Sequence, residues 1–296
     1  MTRTRNAAAG VALVVLGADK ARGQRARVAQ RAAARDIRAA AVEEALAVED
    51  ASERGRHRPL VAVVMAAYNE SGSVGPLLAS LPEAVCGLRV CPIVVDDGSD
   101  DDTAQDARAA GAVVGTHRRN LGQGDALRTG FALAKRLDAR VVVTMDADGQ
   151  HDPAELSALV GPVVAGEADY VQGSRFLGRY DDAGGARDLG IRGFTRLITL
   201  LTGTGITDCT NGFRAIDGAA LARLELVEDR FSAPEILIQA AGRGLRIQEV
   251  PVHIRSRELG SSKKPRGLRY ASGFLGAVLR SWARARDPRS GAQDPG

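Results

Sequence analysis

The strongest constraint on this chain is a pattern that repeats: an apolar, β-branched run that ends in an acidic cluster. Leu60-Val61-Ala62-Val63-Val64-Met65 leads to Ala67-Tyr68-Asn69-Glu70. Pro92-Ile93-Val94-Val95 leads to Asp96-Asp97-Gly98-Ser99, and Val141-Val142-Val143-Thr144-Met145 leads to Asp146-Ala147-Asp148. Such runs read as strands buried in a parallel sheet, and open α/β sheets bind ligands beyond the carboxyl ends of their strands. One polar cluster is an ordinary turn; three on one sheet edge imply a built site. Two carboxylates one residue apart are costly to hold close unless a cation lies between them. Asp146 and Asp148 therefore point to a divalent metal, with a solvated acidic turn as the plainer alternative.

The segments between these runs read as helices, over residues 74–81, 102–110, 125–137, from Pro153 onward, 188–202 and 234–242. Ser99 or Asp100 is expected to cap the second of them. Further strands are expected at Ala112–Val114, at Asp169–Gln172 with its end at Gly173-Ser174-Arg175, and at Leu245–Ile254. This alternation predicts an α/β fold with a doubly wound, mostly parallel sheet and helices on both faces. There is no P-loop. Asn120-Leu121-Gly122-Gln123-Gly124 precedes a helix, where N–H groups face a phosphate or base, but Leu127 stands where a dinucleotide fingerprint needs its third glycine.

Charge separates the ends from the middle. Residues 1–59 carry twelve Lys and Arg against seven Asp and Glu, and residues 254–296 carry ten against three. The middle carries eighteen against twenty-six. An acidic centre argues against nucleic acid as the partner, and basic ends fit an anionic lipid or phosphate. Residues 1–59 are expected to form a basic extension, either partly disordered or a loosely docked helix over 19–50 with a thin face of Val28, Ile37, Val42, Leu46 and Val48, and a linker from residue 50. Ala7–Ala18 reads as a short extension rather than a signal peptide. The domain proper spans 60–265. In 266–286, Leu268, Ala271, Phe274, Leu275, Val278, Leu279 and Trp282 fall at helical spacing among arginines, an amphipathic helix that either lies in a lipid interface or packs on the domain. Residues 287–296 read as a disordered tail. No run reaches the length of a membrane span. Cys86, Cys91 and Cys209 have no metal-ligand spacing and suggest a reducing compartment.

With these residues in view, 60–265 resembles the family 2 glycosyltransferases with the GT-A fold. The resemblance rests on Ala67-Tyr68-Asn69-Glu70, Val95-Asp96-Asp97-Gly98-Ser99, Asn120-Leu121-Gly122 and Asp146-Ala147-Asp148-Gly149-Gln150. Gly173-Ser174-Arg175, Asn211-Gly212-Phe213-Arg214, Glu249-Val250-Pro251-Val252 and Arg257 to Lys263 are similar to the polyprenyl-phosphate sugar synthases of the dolichol-phosphate mannose synthase type. The resemblance implies an inverting, metal-dependent transfer from a GDP- or UDP-sugar to a polyprenyl phosphate, at the cytoplasmic face of a membrane. Tyr68, Asn69, Glu70, Asp96, Asp97, Asn120, Gly122 and Asp146 would meet the donor. Asp146, Asp148 and Gln150 would hold Mg²⁺ or Mn²⁺. Arg175, Arg214, Arg257, Ser262 and Lys263 would meet the acceptor phosphate. A hydroxyl acceptor would instead need a base, for which Asp208 is the candidate. A nucleotidyltransferase or a non-catalytic sugar-nucleotide binder are the other readings.

Overall fold

The computed structural model describes residues 29–49, 60–181, 185–228, 231–256 and 268–286. A helix, α1, covers residues 29–49. The chain then runs β1 (Leu60–Ala67), α2 (Val74–Ala79), β2 (Ala84–Val85), β3 (Leu88–Asp96), α3 (Thr103–Ala109), β4 (Val113–Thr116), α4 (Gln123–Arg136) and β5 (Val141–Asp146). After a 3₁₀ turn at Pro153–Glu155 come α5 (Leu156–Val164), β6 (Tyr170–Tyr180), α6 (Ala186–Thr202), β7 (Arg214–Asp217), α7 (Gly218–Leu221), α8 (Ser232–Gly242), β8 (Ile247–Ile254) and α9 (Leu268–Ala285).

Alternation along the central strands builds two cores. Leu60, Ala62 and Val64 of β1 enter one apolar cluster, and Val61, Val63 and Met65 enter the other. Both faces of the sheet are therefore covered, which is why these runs are apolar throughout. The strand order is β2-β3-β1-β5-β7-β6-β8, with β4 also paired to β3. Parallel pairing joins β1 to β3 and β5, β3 to β4, and β6 to β8. Short β7 lies antiparallel between β5 and β6, and β2 antiparallel to β3, so the sheet is mixed.

Three differences from the expected elements have physical causes. Strand β3 starts before Pro92, because Pro92 lies between the stretches paired to β2 and β4, where the outer edge has no partner and a proline is tolerated. Strand β6 runs on to Tyr180: Ser174 and Arg175 look like a polar strand end but are buried. The cap of α3 is neither Ser99 nor Asp100; Asp102 holds that position, and the Asp101 carboxylate accepts from the Thr103 N–H at 3.1 Å.

Both ends of the described chain join the same core. Val42, Ala45 and Leu46 of α1 and Phe274 and Val278 of α9 belong to one cluster. Alanines (Ala34, Ala41 and Ala45) fill out the α1 face, whereas Val48 is 64% exposed. The Phe274 ring meets Phe194 at 4.3 Å and Phe231 at 5.3 Å, and Trp282 Nε1 donates to the Leu201 carbonyl at 2.8 Å. Packing thus takes the aromatic side of α9, and Leu275 and Leu279 point outward. No helix among the described residues is long and apolar enough to cross a membrane. Ala7–Ala18, the 50–59 linker and the 287–296 tail lie outside the described residues.

Candidate active site

Strand register brings the acidic clusters together: Ala67 is level with Asp96, and Ala66 with Asp146. The first two clusters are stitched to each other. Asn69 sits in the left-handed region at φ 52°; its N–H donates to Ser99 Oγ at 2.9 Å, and its Oδ1 accepts from the Asp100 N–H at 3.0 Å. The Glu70 N–H donates to Thr103 Oγ1 at 2.9 Å and the Ser71 N–H to Asp101 at 3.1 Å. Burial alone would raise the Asp101 pKa, but the bonds from Thr103 and Ser71 outweigh it and hold the carboxyl below its ordinary value. Gly98 has φ 72°, and a Cβ there would lie 2.4 Å from the Arg119 carbonyl carbon, so only glycine lets the 117–122 loop lie against this turn.

Asp96 and Asp97 are both buried. Asp96 accepts from the Ser99 N–H at 3.1 Å and from its hydroxyl. Asp97 Oδ1 meets His117 Nδ1 at 2.7 Å and the Leu121 N–H at 2.9 Å, while Oδ2 accepts from the Gly122 N–H at 2.7 Å. His117 Nε2 lies 2.8 Å from Thr129 Oγ1. The Asp97 carboxylate, expected against the nucleoside, anchors the Asn120-Leu121-Gly122 loop, and the exposed member of that loop is Asn120.

The third cluster is held from behind by His151. The Asp146 N–H donates to His151 Nδ1 at 3.1 Å, and His151 Nε2 meets Asn211 Oδ1 at 3.0 Å. With Nδ1 accepting and Nε2 donating, the ring is neutral; burial also lowers its pKa. Phe213 stacks on it at 4.8 Å, and Asn211 Nδ2 donates to the Gly173 carbonyl at 2.9 Å. Gly212 lies against the Asp146 carboxylate: a Cβ there would stand 2.8 Å from Asp146 Oδ1. Gln123 Nε2 reaches the same oxygen at 3.5 Å. Gln150 ties this loop to the end of β8, because its carbonyl accepts from the Arg255 N–H at 2.9 Å and its Nε2 donates to the Arg255 carbonyl at 3.0 Å.

Of the expected acceptor residues, Arg175 and Arg214 lie among the described residues, and both are engaged inside the fold. Arg175 Nε donates to Asp208 Oδ2 at 2.6 Å, and Nη2 to Thr210 Oγ1 at 3.3 Å. The Asp208 side chain is fully buried, and it also accepts from the Thr210 N–H at 3.1 Å. Glu249 fixes this turn through the Thr207 and Asp208 N–H groups, at 2.8 and 2.9 Å. Arg214 is 2% exposed; Nη2 donates to the Asn211 carbonyl at 2.9 Å and Nη1 to the Ala233 carbonyl at 3.2 Å. That guanidinium is a buried brace between β7 and α8. Arg257, Ser262 and Lys263 lie outside the described residues.

Burial thus sorts the expected residues. Tyr68, Asn69, Glu70, Asn120, Gly122, Asp146, Asp148 and Gln150 line the edge half-buried or exposed, above a buried layer of Asp96, Asp97, Asp208 and Arg214. His117, His151 and Gln123 belong to that edge and were not among the expected site residues. Their signal was positional: His117 directly follows β4, His151 is three residues past Asp148, and Gln123 opens α4.

The sequence profile of the family described as Glycosyl transferase family 2 matches residues 62–225. A dolichyl-phosphate hexose transferase from Haloferax volcanii is 34% identical over 67% of this chain and 83% of its own. A polyprenol monophosphomannose synthase from Mycolicibacterium smegmatis is 35% identical over 73% of this chain and 84% of its own. Among solved structures, glucosyl-3-phosphoglycerate synthase from Mycobacterium tuberculosis, in complex with Mn²⁺, UDP and glucosyl-3-phosphoglycerate, superposes with a TM-score of 0.60. It is 24% identical, over 78% of this chain and 82% of its own. That similarity is one of GT-A fold.

Proposed function

The chain belongs to glycosyltransferase family 2 and is a glycosyltransferase; we propose that it moves a sugar, with inversion, from a nucleoside diphosphate donor to a polyprenyl phosphate. The observation that carries this reading is the double hydrogen bond between Gln150 and Arg255. It joins the acidic loop, which suits a donor diphosphate once a divalent cation lies between them, to the root of the basic segment, which suits an acceptor phosphate. Relatives whose names specify lipid-phosphate acceptors support the acceptor class.

Donor contacts are proposed for the accessible edge. Glu70 and Tyr68 face the nucleoside side, and the loop held by Asp97 presents Asn120. Among the described residues no group of three or more His, Cys, Asp and Glu could hold a metal by itself. Asp146 and Asp148 offer hard oxygen donors at an accessible edge, and the bare Gly212 backbone leaves the Asp146 carboxylate room. That set fits a divalent cation which takes its remaining ligands from phosphate and water. Mg²⁺ or Mn²⁺ held by Asp146 and Asp148, with Gln150 beside them, would neutralise charge building on the departing diphosphate. The chain's own contribution is orientation: His151 fixes the Asp146 backbone and Gln150 holds the Arg255 backbone beside the acidic loop.

A phosphomonoester with a second pKa of about 6 is already largely dianionic near neutral pH and attacks the anomeric carbon without a base. The alternative, a soluble hydroxyl acceptor, needs one. Asp208 is a poor base here because its carboxylate is buried and held by Arg175. Arg257, Ser262 and Lys263 follow directly on β8 and are proposed as the acceptor-phosphate contacts. For the lipid surface we propose the outward leucines of two adjacent helices, Leu189 and Leu200 of α6 and Leu275 and Leu279 of α9, with exposed Arg192 and Arg196. A donor screen tests the reading: thermal shift with Mn²⁺ and UDP-, GDP- or other nucleotide sugars gives stabilisation by one nucleotide class, and Asp148→Ala abolishes it. Stabilisation by no nucleotide, or an undiminished effect in Asp148→Ala, sinks the donor-site assignment.

A further inference from the structure

Helix α1 lies outside the 62–225 span that matches the family, yet it touches the donor edge at two points. Its Arg38 pairs with Asp125 Oδ1 in the first turn of α4. Its Ala41 carbonyl lies 3.7 Å from the Cβ position of Gly115, in the strand that leads into His117. The 117–122 loop is therefore bracketed. At one end stands His117, which supports the Asp97 carboxylate; at the other stands Asp125, three residues past Gly122.

Asp125 is 5% exposed and is a node, not a surface charge. The same Oδ1 accepts from Arg128 Nε at 3.2 Å and pairs with Arg128 Nη2 at 3.0 Å. The Asp125 carbonyl accepts from Thr129 Oγ1 at 3.2 Å, and Thr129 Oγ1 in turn meets His117 Nε2 at 2.8 Å. Gln123, in the same first turn, is the residue that reaches Asp146. A second ion pair also fastens α1 to α4, between Glu43 and Arg136 at 2.8 Å. That one sits at the far end of α4, and both partners are more than half exposed.

We propose that Arg38 is a positioning residue for the donor: through Asp125 it sets the first turn of α4, and with it the Asn120–Gln123 loop against a bound nucleoside diphosphate. This rests on the donor site assigned above. The assignment makes α1 a working wall of that site, supplied from outside the family span. Removing the Arg38 charge loosens the loop, and Gln123 with it, without touching the acceptor side.

The test uses the full-length chain, with UDP and GDP as probes in the presence of Mn²⁺ and calorimetric dissociation constants as the readout. Arg38→Met is expected to weaken binding of whichever nucleotide the wild type takes by about tenfold, because the loop is no longer held ready before the ligand arrives. Arg38→Lys is expected to recover part of it. Arg136→Met, which removes the other α1–α4 ion pair, is expected to bind within about twofold of wild type. In turnover, Arg38→Met raises the donor KM and leaves the acceptor KM unchanged. Melting temperatures of both variants separate the two roles, since a merely structural helix would lower stability in each and leave nucleotide affinity alike. Unchanged affinity in Arg38→Met, beside a wild type that binds, overturns the proposal while leaving the donor site intact. A wild type that binds neither nucleotide, and that no other nucleotide sugar stabilises in the donor screen, overturns both.

Discussion

Gly212 decides whether Asp146 keeps its place. A methyl group added there would stand 2.8 Å from Asp146 Oδ1, closer than any ordinary contact. Gly212→Ala is expected to lower transfer by about one to two orders of magnitude, because reacting groups misplaced by about 1 Å cost that much. The loss should appear as a raised Mn²⁺ requirement in activity titrations, with a melting temperature close to wild type. The buried pair of Arg175 and Asp208 makes the opposite prediction. Asp208→Asn leaves a buried guanidinium unpaired and is expected to cost about 3–5 kcal/mol of stability in urea titrations. If Asp208 were the catalytic base, the variant would keep its stability and lose activity. At this scale the sequence marks chemistry without orientation. Asp97 and Arg214 carry motif charges, but only packing shows that one holds a loop and the other braces two carbonyls. His151 was hidden for the same reason, since its role is to accept a backbone N–H.

Helix α9 shows what periodicity cannot decide. The spacing of Phe274, Val278 and Trp282 announces a buried face, and the fold shows that α6 and α8 bury it. Trp282 is the chain's one tryptophan, so its emission reports this docking directly. Anionic vesicles are expected to leave the emission maximum unchanged even where they bind the protein. A vesicle-induced blue shift would mean that the aromatic face turns to lipid. The same helix is pinned by Arg280 and Arg284 to Glu228, at 2.6 and 3.0 Å. Burial alone would raise the Glu228 carboxyl, but those bonds outweigh it and bring it below its ordinary 4.5. Because the folded value is the lower one, this contact stabilises the protein above about pH 4.5, and the contribution is lost as pH falls through the lowered value. Neighbouring Glu235 has the opposite sign: burial raises its carboxyl above 4.5, so its contribution is greatest in acid and is lost as pH rises through the raised value. The Glu228 part is read as the difference in urea midpoints between wild type and Arg280→Met, which should shrink as pH falls through the lowered value. The difference should stay under about 1 kcal/mol, because Arg280 is largely exposed. Strands β1, β3 and β5 were legible from their apolar runs, whereas four-residue β7 was not, since so short a run gives no period to read. The α1 face was underestimated because alanines, not large residues, make it.

Across the whole molecule, the acidic centre and basic ends were readable from charge alone, and the acidic centre maps onto a sheet edge of carboxylates. What charge could not reveal is that α1 and α9, from opposite ends of the chain, close over the same core. One cooperative melting transition is expected, monitored together by Trp282 emission and far-ultraviolet circular dichroism; separate transitions would show that the terminal helices fold as independent units. The most direct test of the assignment is transfer itself. Purified full-length chain, Mn²⁺ and a radiolabelled nucleotide sugar chosen by the donor screen are incubated with a short polyprenyl phosphate, and the organic phase is counted. A lipid-phosphate glycosyltransferase yields a labelled polyprenyl phosphosugar that is absent with polyprenol lacking phosphate and absent in Asp148→Ala. Label that stays in the aqueous phase while a phosphorylated soluble hydroxyl acceptor becomes glycosylated would contradict the lipid-phosphate assignment.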